Sequence, residues 1–365
     1  MALTISATDT ELPAPLNAVF QQTLLRNAMV RCPYFMGTTA AELSKHRGSF
    51  QASFRRIANL SAATTGLTQL TGTAAYMQGR DAAALSVTAV NATVAKYGNF
   101  VILNEEADLV NFPEQFAKIL QIIGINAGQT LNVLQRNIGE DNATLIRVGG
   151  AASDGALAAA LTLGTIQNAV NVLDKASAMT FTPMTTGSQN IGTTPLLSSY
   201  WGLCHPDVAI DIAGLSGFKG VETYAGQTAT VLGEFGALSV AGKAVRFISS
   251  EDAGVDASSG ATGAGSADLR TTASDKTDLY TTLIYGQDAI GSIGFGMAHS
   301  DGIYRAGEDS LQAVDVIVKM PQATGTSDPY NEITTVAWKA WHTGAVLNSG
   351  WVRGVRSGAT DVSNN

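Results

Sequence analysis

The chain has 365 residues and 37.8 kDa, above the ~250–300 residues at which single hydrophobic cores stop growing, so one large composite domain or two lobes is expected. Hydrophobic residues make up an ordinary 45%, but charged residues only 14% against about 25% in a typical soluble domain, so much of the surface is expected to meet other protein. Net charge is −8 and uneven: residues 1–60 hold six Lys or Arg and three acids, hence +3, and the remainder carries −11, which argues against wrapping a phosphate backbone unaided. Two cysteines, Cys32 and Cys204, make no disulfide framework, and neither a signal peptide nor a membrane span is expected.

Residues 1–58 read as an arm, with Leu16, Val19, Phe20, Leu24 and Ala28 at helical spacing over 16–30. Residues 60–89 are Thr-, Ala- and Gly-rich, with Arg80 and Asp81 as their only ions. Such a stretch buries too little apolar area to hold itself, so it is a loop or an extended hairpin braced by something else. Alternation returns from Val87 through Val90, Ala92, Val94, Phe100 and Ile102, with a break expected at Tyr97, Gly98 and Asn99.

The strongest helix signal covers 114–137: Asn111 as cap, Pro113 in the first turn, Glu114 at the positive end of the dipole. Phe116, Ile119, Leu120, Ile123, Ala127, Leu131 and Leu134 form its stripe, which Ile122 and Ile125 widen, while Lys118, Gln129, Asn132 and Arg136 fall off it. Gly124 and Gly128 each cost about 1 kcal/mol inside a helix, so a close backbone approach is expected there. A second helix starts at 164–165 and runs to 176, a short strand over 200–205 precedes a helix start at Pro206 and Asp207, and 231–248 reads as a hairpin. The low-complexity run 253–267 reads as a loop held by its surroundings, and strands follow at 279–285, 290–295, 314–319, 334–347 and 351–355.

No constellation rises to an active site. The four histidines (His46, His205, His299, His342) form no ligand pair, and Cys204 beside His205 on a strand puts the two side chains on opposite faces. The run 236–243 has one residue too many for a phosphate loop, and Ala244 stands where a hydroxyl would hold magnesium. Glu105, Glu106 and Asp108 read as a solvated helix lead-in. No catalytic residue, metal or cofactor is expected, and the chain is read as no enzyme.

The order of elements is α+β and resembles the major capsid proteins of tailed bacteriophages, whose fold is named after phage Hong Kong 97. Local sequence is most similar to the branch found in N-four-like podophages. The matching stretches are Phe54, Arg55 and Arg56 with Leu60; the run from Val90 to Val101; His205, Pro206, Asp207 and Val208 with Asp211; and Gly233 to Gly236 before Val245, Arg246 and Phe247. Thr281 to Gly286, and Asp328 to Asn331 followed by Val336 to Trp341, complete the set.

The resemblance implies an N-terminal arm (1–58), an extended hairpin loop (59–98) lying over a neighbouring subunit, and a peripheral domain (99–194) with spine helix 114–137. It further implies an axial domain (195–304) around five- and six-fold centres and a C-terminal β segment (305–365) returning to the peripheral domain. The implied protein is a homo-oligomer: hexamers and pentamers of an icosahedral shell that encloses double-stranded DNA without sequence-specific binding, located in the virion and assembled in the host bacterial cytoplasm. Implied partners are a portal, a scaffolding protein and decoration proteins; no membrane and no cofactor enter. Interfaces of ~2,000–5,000 Å² or more would account for the low charge. Some relatives weld subunits through a hairpin lysine, but no lysine stands between His46 and Ala95, so no weld is expected; with about 50 residues before the hairpin, a separate scaffolding protein is. Candidate intersubunit contacts are Arg47, Arg55 and Arg56 docking on Glu105, Glu106 or Asp108 of a neighbour, with Arg80 and Asp81 at the hairpin. Two other readings are an encapsulin-like nanocompartment shell and a monomeric α/β enzyme.

Overall fold

The computed structural model describes residues 32–41, 51–57, 60, 62, 64, 85–104, 115–184, 195–223, 233–240, 242–262, 268–272, 275–293, 314–319, 330 and 332–362. A short strap, Pro33–Phe35, leads to β1 (Thr39–Ala41), β2 (Gln51–Ile57), β3 (Val87–Thr93) and β4 (Ala95–Asn104). Then come α1 (Gln115–Asn142), β5 (Thr144–Arg147), α2 (Leu163–Lys175), β6 (Ser199–Cys204), α3 (Pro206–Ala213) and β7 (Phe218–Gly220). The chain continues through β8 (Glu234–Val240), β9 (Lys243–Ser249), β10 (Val255–Asp256), β11 (Leu279–Tyr285), β12 (Ile290–Ile293), β13 (Val314–Lys319), β14 (Ile333–His342), β15 (Gly344–Val346) and β16 (Val352–Ser357).

The central sheet has the order β5-β16-β11-β6-β9-β8-β7, with β10 added on β11. Strands β6 and β11 are buried at every position, which follows from cover on both faces. Tyr200, Cys204, Tyr280 and Ile284 face α2 and α3 and join Ile166, Leu173, Val208 and Ile212. Trp201, Leu203, Leu283 and Tyr285 face the other way, toward Tyr34 of the strap and Ile290. Gly202 sits where a Cβ would lie 2.7 Å from the Phe247 ring, so the Phe packs flat against bare backbone.

A second, three-stranded sheet has the order β13-β14-β4, antiparallel throughout. Leu120, Ile123, Ala127 and Leu131 of α1 pack on its Val318, Val336, Trp338 and Ala340. Fully burying such a Leu or Ile side chain stabilises the fold by about 1.5–3 kcal/mol. The 28 residues of α1, at 1.5 Å each, span about 42 Å, and toward the far end Gly139 presses on Leu283 of the central sheet. The helix is therefore the member that joins the two sheets. A third small sheet, β1-β12-β15, lies between them.

Several expectations change. The helix runs to Asn142 rather than 137, and its expected cap and first turn (Asn111, Pro113, Glu114) lie outside the described residues. Ile122 is 63% exposed and does not widen the buried stripe, whereas Asn132 is wholly buried. Tyr97, Gly98 and Asn99 do not break a strand: they pair in regular register with Ala340, Lys339 and Trp338. The interruption falls at Val94. Gly98 is there because a Cβ would lie 2.5 Å from the Trp338 carbonyl oxygen, a close approach rather than a turn. The central sheet also takes β5 and β16, and α2 shares its core, so its membership extends beyond 195–304 on both sides. The low-complexity run is tied down over its described part: β10 pairs with β11, and Gly260 and Ala261 donate to Thr277 and Leu157 carbonyls. The expected helix over 16–30 lies outside the described residues.

Candidate intersubunit surfaces

β2 and β3 pair only with each other in the register Gln51↔Thr93 to Ile57↔Val87, forming a two-stranded ribbon that opens the segment 58–86. Its root is a small apolar cluster in which Ala52, Phe54 and Val94 meet Trp341, Ala345 and Leu347. Beyond the root the ribbon is bare: Leu85, Val87 and Leu60 are exposed. An isolated two-stranded ribbon is marginal in water, and among the described residues this one is packed at its root. Arg55 and Arg56 are both exposed on β2, and strand alternation sends them to opposite faces. Arg47, Arg80, Asp81, Glu105, Glu106 and Asp108 lie outside the described residues.

The sequence reading missed a second surface. In β14, Val336, Trp338 and Ala340 turn toward α1, so Ile333, Thr335, Ala337, Lys339 and Trp341 turn away. The register adds Lys96, Phe100 and Ile102 from β4 and Ile317 and Lys319 from β13 to that outer face. Phe100 is 60% and Ile102 56% exposed. Phe100 and Ile102 thus form a small exposed apolar pair flanked by lysines, a candidate contact surface. The signal was legible in the alternation of 335–341, which the reading treated as an undivided strand.

Facing the interior, α1 is laced to its neighbours by a polar seam. Asn132 Oδ1 accepts from the Tyr34 backbone N–H at 3.1 Å, and its Nδ2 donates to Asp252 Oδ2 at 2.8 Å. Gln129 Nε2 donates to the other Asp252 oxygen at 3.1 Å, and Arg136 donates to the Asp252 carbonyl at 2.6 Å. Glu140 accepts from the Gly254 N–H at 3.2 Å; burial, opposed by Arg136 and that N–H, pushes its carboxyl up to about 7. The Cys32 thiol donates to the Gly128 carbonyl at 3.3 Å.

The arrangement offers little to chemistry. Cys204 is fully buried and burial pushes its thiol well up, so no thiolate forms. His205 Nδ1 accepts from the Asp207 N–H at 3.2 Å as the cap of α3, and Asp207 takes the Tyr280 hydroxyl at 2.9 Å and an ion pair from Arg270. These four side chains satisfy one another and hold a helix end. Among the described residues no group of three or more His, Cys, Asp or Glu could hold a metal.

No family model and no curated protein matches the sequence. Solved structures do match the fold. The capsid of Ralstonia phage GP4 superposes with a TM-score of 0.61 at 12% identity, covering 91% of this chain and 90% of that one. The cyanophage Pam1 capsid gives 0.53 at 13% identity over 91% and 93%, and the head of Helicobacter pylori bacteriophage KHP40 gives 0.51 at 12% over 98% and 95%. This is the Hong Kong 97-type capsid fold. Coverage of nine-tenths or more on both sides means that the capsid fold accounts for the whole chain and not for one lobe. At such identities the likeness lies in the backbone, and the surfaces above stand on this chain's own residues.

Proposed function

We propose that this chain is the major capsid protein of a tailed bacteriophage, a structural and non-catalytic subunit that assembles as hexamers and pentamers into an icosahedral shell around double-stranded DNA. The observation that carries the reading is the capsid fold over essentially the full length. The bare ribbon and the uncovered Phe100–Ile102 face support it, because both are surfaces that a lone globule would not keep. In this reading the segment 58–86 lies over a neighbouring copy, with the Phe100–Ile102 face as its apolar seat. Arg47, Arg55 and Arg56 dock on acids such as Glu105, Glu106 or Asp108, and Arg80 and Asp81 sit at the hairpin contact. Residues 1–58 form the arm, 59–98 the hairpin, 99–194 the peripheral domain, 195–304 the axial domain and 305–365 the returning β segment. A portal, a scaffolding protein and decoration proteins are the further partners, the host cytoplasm is the place of assembly, and the N-four-like podophage branch is the lineage. Electron microscopy of the purified chain tests this: shells or capsomers are expected. A monodisperse species near 37.8 kDa by light scattering at high concentration would overturn it. Nuclease-protected DNA in particles from infected cells distinguishes a virion from a cargo-bearing nanocompartment.

A further inference from the structure

His342 ends β14 opposite Ala95, the first residue of β4, and so stands where the ribbon's return strand enters the three-stranded sheet. Only 4% of it is exposed, and its Nε2 has no hydrogen-bond partner. Its ring leans on Phe35 of the strap at 5.4 Å between centroids. His342 also lines a cavity of about 270 Å³ with Thr93 of the ribbon, Tyr97 of β4, Asn137 and Asp141 of α1, and Gly344. Gln135, on the adjoining turn of α1, is buried with both amide atoms likewise unpartnered, and its Oε1 crowds Gly344. A half-open pocket with unpartnered buried groups beside it, at the joint of ribbon, helix and sheet, is a weak point in the packing.

We propose that His342 is an acid-operated latch: a proton on its buried imidazole drives the ring out of its packed place and loosens the ribbon from the three-stranded sheet and α1, while the central sheet stays folded. Closed, the ring has no acceptor for a second N–H⁺, and burial pushes it down to about 4. Open, it regains the ordinary value of about 6.5. The closed form therefore loses ground as pH falls through that window, by up to about tenfold per pH unit, and the effect is complete below about 4. Asp141 of α1 and Tyr97 of β4 are the titratable groups on the cavity wall; the strap contributes Phe35, the ribbon Thr93 and β15 Gly344, none of them charged. The exposed Asp141 carboxylate gives the cation a place to turn toward once the joint opens. The latch is a property of one subunit and stands apart from the shell reading.

Hydrogen exchange of the full chain, expressed as protection factors at pH 4, 5 and 7, tests it. Protection over 51–57 and 87–93 should fall as pH drops while 279–285 keeps its own, and His342→Phe should hold the ribbon closed. Ribbon protection that ignores pH, that vanishes together with the central sheet, or that falls equally in His342→Phe would overturn the latch. Should His342→Phe not fold, histidine-labelled NMR of the unmodified chain decides. Ionisation near 4 with concurrent broadening of ribbon amides supports the latch, and ionisation near 6.5 with an undisturbed ribbon refutes it.

Discussion

β11 and β4 are both apolar-rich strands with opposite fates. Every residue of β11 is buried, between α2 and α3 on one face and the strap side on the other, whereas most of β4 is exposed although Phe100, Val101, Ile102 and Leu103 follow one another in it. The difference is not composition but cover. The central sheet finds both of its covering layers within the same chain; among the described residues the β13-β14-β4 sheet finds α1 on one face and only the ribbon root, against Trp341, on the other, and Phe100 and Ile102 stay exposed. Among the described residues the first region is covered throughout and the second only in part.

The sharpest way to break that contrast is a matched pair of substitutions. Phe247→Ala, in the heart of the central core, should cost about 3–5 kcal/mol, read as a lowered urea midpoint, because the void against Gly202 and Phe235 cannot close. Phe100→Asp should leave the midpoint of the isolated subunit within about 0.5 kcal/mol and abolish higher-order assembly, read by light scattering. If Phe100→Asp destabilises the subunit as Phe247→Ala does, the face is internal and the contrast fails.

A somewhat smaller effect is expected at the joint between the regions. Asn132→Ala leaves the Tyr34 N–H without its partner and removes one donor from Asp252, at about 1–3 kcal/mol for the unsatisfied buried group. Hydrogen exchange should quicken over 32–41 and 250–254 ahead of the central strands. Uniform acceleration throughout would mean that Asn132 is ordinary core and no joint.

Much of this was legible in the sequence, and what was missed has definite causes. The α1 stripe, the helix start at Pro206 and strand β11 were visible because periodicity and the preference of proline for a first turn are local signals. Asn132 was placed off the stripe because polarity was taken as exposure, yet its amide pairs with strap and loop residues 98 and 120 positions away, which no window shows. Gly98 was read as a break for the same reason: the Trp338 carbonyl it accommodates arrives from the far end of the chain. Arg55 and Arg56 are neighbours in the sequence, and strand geometry sends their side chains to opposite faces of β2.

Glu140 gives a pH handle on the same joint. Its folded value of about 7 lies above the ordinary value of 4.5, so the folded state favours the protonated form; its contribution is full below 4.5 and is lost as pH rises to 7. Glu140→Gln keeps an acceptor for the Gly254 N–H and removes the buried charge. The variant should gain on the unmodified chain by about 2–3 kcal/mol between pH 5 and 8 in paired urea titrations. The windows of Glu140 and His342 overlap, and the difference between the two proteins isolates Glu140 because His342 is present in both. A constant difference across that range would show Glu140 to be an ordinary surface carboxylate.

The smallest effect expected is at the ribbon's arginines, and it separates two ideas of how they act. A clamp made of both residues would weaken equally on charge reversal at either. Side chains on opposite faces of β2 meet different neighbours, so Arg55→Glu and Arg56→Glu should shift the salt concentration at which particles dissociate by unequal amounts. Each exposed pair contributes about 0–1 kcal/mol per subunit, too little to alter folding but repeated at every contact around a closed shell. Identical shifts for the two variants, or normal salt tolerance in both, would remove these arginines from the interface and leave the apolar face of Phe100 and Ile102 to carry it.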